Sequence, residues 1–129
     1  MPTPRLTKNK LWDSLCRLYQ EKGEFYSPVR GNRYTIPTLD RIARTYTIKY
    51  KSGNTKVIPF DDIYALYQEL YRIGRIPRGF LNSASDCMRL FNHKTYLHAP
   101  GATLYAILPE LDSAIFIEKG GHLCVDQKP

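Results

Sequence analysis

Polar and apolar residues alternate most regularly over residues 45–51, TYTIKYK, where Tyr46, Ile48 and Tyr50 are separated by Thr45, Thr47, Lys49 and Lys51. A period of two predicts a β-strand with one face on a core and the other, carrying Thr and Lys, in solvent. The SGN that follows at 52–54 is a Gly-containing turn of hairpin length. TKVIP at 55–59 then reads as the return strand, closed by Pro59. RYTIP at 33–37 reads as a further short strand that ends at Pro37.

Elsewhere the period is helical. Leu11, Leu15 and Leu18, widened by Trp12 and Tyr19, predict a helix over roughly 8–22, with Thr7 as N-cap and Gly23 as its stop. Ile63, Leu66, Tyr67, Leu70 and Ile73 predict a second over roughly 61–73, with Asp61 and Asp62 capping its start and Gly74 its end. Residues 75–82 read as a loop, and Ser83 or Ser85 is placed to cap a short helix ending near Phe91. ATLYAILPEL at 102–111 predicts an apolar helix stopped near Pro109, and AIFIE, KGG and HLCVD at 114–126 a terminal hairpin.

Helices and hairpins are interspersed without a repeating β-α-β order. The expected fold class is therefore α+β: a small single domain over 1–129, with mainly antiparallel hairpins packed against two to four helices. An apolar fraction of 43% and a charged fraction of 24% suit a globular chain.

Charge changes the picture. The formal net charge is +7, and it is not evenly spread. Residues 1–56 hold twelve Lys/Arg against four Asp/Glu, whereas residues 57–129 hold seven against eight. A basic first half points to a polyanionic partner, nucleic acid, with DNA favoured over RNA. The candidate contacts are Lys49 and Lys51 on the outer strand face, Arg41 and Arg44 at the strand entry, and Lys56 on the return strand. Arg75 and Arg78, in the Arg-rich loop YRIGRIPRG, complete the set, since guanidinium forks suit phosphate. Solvated lysines on an exposed sheet face are the plainer reading of the same residues.

Other chemistry finds less support. There is no Walker loop, no dinucleotide fingerprint and no nucleophile elbow. Cys16, Cys87 and Cys124 are odd in number and far apart, so free buried thiols are expected in place of a disulfide framework or a zinc site. No cofactor or metal is expected. A metal-dependent nuclease using His93, His98 or His122 is the weakest of the functional readings. Ten tyrosines, three of them at 64, 67 and 71 along one helix face, fit core packing better than base stacking. They also fit the alternative to nucleic acid, an adaptor or inhibitor that docks on an acidic protein surface, including that of a nucleic-acid enzyme. The N-terminus carries no secretory leader and no apolar run is long enough to span a bilayer, so the expected location is the cytoplasm, with no membrane partner.

Overall fold

The computed structural model describes residues 3–27, 30–91, 96 and 99–126. Helix α1 (Lys8–Glu21) comes first, and Thr7 caps it by accepting from the Lys10 amide at 3.2 Å. Five strands follow: β1 (Glu24–Tyr26), β2 (Arg33–Thr35), β3 (Leu39–Asp40), β4 (Thr45–Lys49) and β5 (Thr55–Pro59). Helix α2 (Phe60–Ile73) leads through β6 (Arg75–Ile76) to α3 (Ala84–Phe91) and α4 (Ala99–Leu111), and the hairpin of β7 (Ile115–Ile117) and β8 (Leu123–Val125) closes the chain. The architecture is α+β with antiparallel sheets, as the pattern predicts.

The two sheets are built differently. In the first, β4 is central. It pairs along its whole length with β5, from Thr45 opposite Pro59 to Lys49 opposite Thr55. Its other edge is shared by β3, at Thr45 and Tyr46, and β2, at Lys49. β1 extends the sheet beyond β2. The second sheet is small, with β8 between β6 and β7. Strands β1, β3 and β6 fall in stretches whose short or irregular sequence shows no alternation; their partners extend them.

One core serves both sheets and all four helices. Leu11 and Leu15 of α1, Tyr46 and Ile48 of β4, Ile63 and Leu66 of α2, and Leu104 and Ile107 of α4 are essentially solvent-free. Gly74 ends α2 in the left-handed region, at φ 83°, which lets its amide reach Leu70 O at 2.7 Å. At the other end of α2, Asp61 and Asp62 stand in the first turn, where their charge suits the macrodipole as expected, but neither is the N-cap. The N-cap is Pro59, with no side-chain bond; Asp61 pairs with Lys8 at 2.7 Å, and buried Asp62 accepts from the Tyr96 hydroxyl. Helix α4 also runs past Pro109 to Leu111, because a proline in the last turn breaks only one hydrogen bond of the ladder.

Two further buried carboxylates tie elements together. Asp112, just after α4, accepts from Tyr67 (2.7 Å), Tyr71 (2.9 Å), Arg5 Nε (2.8 Å) and the Ala114 amide (2.9 Å). Glu69 of α2 takes a two-pronged contact from Arg72, at 2.7 and 2.9 Å, and a third bond from Arg89 of α3 at 2.7 Å. All three cysteines are buried and free. Among the described residues no helix is long and apolar enough to cross a membrane.

Candidate nucleic-acid interface and cleft

The alternation in β4 sorts its side chains. Tyr46 and Ile48 face the core, while Thr45, Thr47 and Lys49 face out. Register carries this across the sheet, because residues directly opposite share a face. Lys49 lies between Thr35 and Thr55, and Thr47 lies opposite Val57 and accepts from the Thr38 hydroxyl at 3.0 Å. The outer face therefore presents Thr35, Thr38, Thr45, Thr47 and Thr55 around Lys49, with Val57 58% exposed among them. Glu24, opposite Thr35, stands on the same face in Lys49's row and is paired with Arg33.

The remaining predicted cations are not on that face together. Lys56 is opposite Ile48, so it belongs to the core side, and its ammonium sits over the Tyr96 ring, 5.6 Å from the centroid. Arg41 and Arg44 occupy the turn before β4, about 17 Å from Lys49 at the rise of a strand. There Arg44 bonds Asn9 Oδ1 through two nitrogens at 3.3 Å each and covers the ring of Trp12 at 5.4 Å. Its backbone is left-handed, at φ 53°, unusual for a residue with a side chain. Arg41 lies by Cys16: burial raises the thiol's pKa, and Arg41 offsets only part of that rise. Lys51 stands exposed in the β4–β5 turn. Arg75 is held by Glu118 at 3.1 Å, and that hydrogen bond keeps the Glu118 carboxylate below its ordinary range.

Arg78 lies in a different setting. With Arg30, which the sequence pattern did not single out, it lines a cleft of about 510 Å³ between the β1–β2 turn and the second sheet. Among the described residues no carboxylate lines this cleft, and Ser27, Asn32 and Asn82 add further polar groups. Its apolar wall includes Tyr96 and Tyr105, both fixed by their hydroxyls, Tyr96 to Asp62 and Tyr105 to Pro77 O at 2.7 Å. Burial drives the pKa of both phenols upward, so both stay neutral donors. Arg78 is itself held in place. Its amide donates to His122 Nδ1 at 3.1 Å, and its stem crosses Gly121, where an added Cβ would come within 3.1 Å of Cδ. Gly121 also has φ 90°, a left-handed backbone that favours glycine.

Two alternatives can be read from the geometry. Helices α3 and α4 followed by a hairpin form a layout in which DNA-binding proteins offer the second helix to a groove. Here α4 is packed on α1, α2, β1 and β7, and of its described side chains only Ala102 and Glu110 are exposed. It is not free to enter a groove. As for a metal, no cluster of three or more His, Cys, Asp or Glu able to hold one occurs among the described residues; His93 and His98 lie outside them. Family models, curated proteins and solved structures were compared with this chain, and none of them matches it.

Proposed function

We propose that this protein binds nucleic acid, DNA before RNA, through the outer face of its first sheet and the adjoining β4–β5 turn. The observation that carries the reading is the outward side of β4 and its neighbours, where threonine hydroxyls surround Lys49 and the next turn adds Lys51. Neither lysine has an acidic partner among the described residues, so both are available to neutralise phosphate, with the hydroxyls as hydrogen-bond donors. Arg75 contributes less than the sequence suggests, because Glu118 already occupies it.

The test is fluorescence anisotropy of labelled duplex and single strands at roughly 50 and 200 mM salt. Binding is expected at the lower salt and should weaken steeply at the higher. A Lys49→Gln, Lys51→Gln double variant should lower the salt slope by about 0.9 for each phosphate it no longer neutralises. Absence of binding to every strand at the lower salt overturns the proposal.

A protein partner is the second reading, and one observation favours it. Ile42 is 99% exposed at the tip of the β3–β4 turn and, with Val57, lines a shallow groove beside Thr38 and Leu39. Exposed aliphatics of this kind suit an apolar contact. Ile42→Ser, which removes the aliphatic side chain without adding charge to the neighbouring sheet face, should weaken capture of such a partner and leave the salt slope of nucleic-acid binding unchanged.

A further inference from the structure

The cleft between the β1–β2 turn and the second sheet has a chemistry of its own, independent of the open sheet face. Among the described residues two arginines line it, and no acid does. Arg30 stands on a turn whose ends are joined by the Ser27 amide to Asn32 O at 2.8 Å and the Gly31 amide to Ser27 O at 2.7 Å. Arg78 stands on a loop tied to His122. Two arginines on bonded turns, facing a space with no countercharge, are a standing electrostatic demand for an anion. The rest of the lining says what else the anion carries. Leu81, Ile117 and the ring of Tyr105 provide an apolar wall, and Asn32 and Asn82 provide amides that both donate and accept. A bare inorganic ion would leave that wall unused.

We infer that this cleft is a binding site for a phosphate monoester borne on a nucleoside: Arg30 and Arg78 grip the phosphate while the apolar wall takes the body. A monoester suits two forks better than a backbone diester, because it offers three terminal oxygens and up to two negative charges. Walls drawn from the β1–β2 turn, the loop at 78–82, α4 and the β7–β8 turn bound a half-open cleft on several sides, which suits an end group better than a strand running through. Two sources share this chemistry, a free mononucleotide and the 5′-phosphorylated end of a nucleic-acid strand.

The experiment is titration calorimetry of the full chain with four probes: adenosine 5′-monophosphate, adenosine, and one short oligonucleotide with and without a 5′-phosphate. At least one phosphorylated probe is expected to bind about tenfold or more tightly than its unphosphorylated counterpart. If adenosine 5′-monophosphate shows the difference, the free nucleotide is a ligand; if only the oligonucleotide does, the ligand is the strand end. Arg30→Ala and Arg78→Ala should each remove most of that preference, and Arg78→Lys should restore part of it by returning charge without the fork. Lys49→Gln, on the outer sheet face, should leave it unchanged, so this result and the sheet-face test can fail separately. Thermal melts confirm that each variant is folded. Equal binding of phosphorylated and unphosphorylated probes, no binding of either phosphorylated probe at low millimolar concentration, or an undiminished preference in folded Arg78→Ala overturns the inference.

Discussion

Asp112 is a carboxylate with 1% of its surface exposed, yet its neighbours keep it ionised. Burial pushes its pKa up, but hydrogen bonds from Tyr67, the Ala114 amide, Arg5 and Tyr71 together outweigh burial and bring it below the ordinary value. A carboxylate whose pKa is lower folded than unfolded adds stability that is complete above about pH 4 and is lost as pH falls through the folded value. Asp112→Asn should therefore cost about 2–4 kcal/mol at neutral pH, since it strands donors built for an anion. Its urea midpoint should also fall less steeply than that of the wild type between neutral pH and pH 3. Glu69, lowered chiefly by the Arg72 hydrogen bond, keeps part of the acid sensitivity in the variant. Arg44 makes a second residue-scale case. Its guanidinium serves Trp12 and Asn9, and its backbone sits where glycine is most at ease. Arg44→Ala should lose about 0.5–1 kcal/mol of stability, while Arg44→Gly should recover most of that by relieving the left-handed strain, as thermal melts will show.

At the scale of elements, β4 holds the first sheet together and also carries an internal mismatch. The alternation visible in the sequence is realised from Thr45 to Lys49, whereas Tyr50 and Lys51, expected to continue the strand, fall beyond its end, Lys51 in the turn; β2, β3 and β5 all take their register from β4. Yet Tyr46, 1% exposed, has a hydroxyl with no partner among the described residues. A buried unsatisfied hydroxyl opposes folding. Tyr46→Phe should be neutral or raise stability by up to about 1 kcal/mol in denaturant titration; a loss above that would reveal a partner for the hydroxyl. Elements without their own periodicity depend on others. β6 is two residues long, and Arg75 and Ile76 become a strand only because Cys124 and Leu123 lie opposite. Helix α4 is readable as apolar, but its covering on several sides, by α1, α2, β1 and β7, is not.

For the molecule as a whole, the uneven charge of the chain is partly evened out by folding. Arg5, Lys8 and Lys22, all in the basic first half, pair with Asp112, Asp61 and Glu110 of the second. Counting charge by halves therefore overstates the free positive surface. The same geometry ranks the candidate contacts. Neutralising Arg75 or Arg44, which have internal partners, should leave the salt slope of nucleic-acid binding close to that of the wild type; neutralising Lys49 and Lys51 should lower it. A larger slope change from Arg75→Gln than from the lysine pair would reverse that ranking.

The sequence by itself determined the local elements. Period-two alternation set β4 and β5, leucine spacing set α1 and α2, and glycines and a threonine set their ends, because these preferences act between residues close along the chain. It also determined the chemistry in stock: surplus cations, free thiols, no motif for a cofactor. Which cations meet was decided only by the tertiary structure. Lys56 turned to the core side through its register with Ile48, Arg75 was taken up by a glutamate forty-three residues away, and Arg30 reached the cleft that Arg78 also lines. Register, burial and ion pairing depend on contacts between distant segments, and no pattern within a window of sequence encodes them.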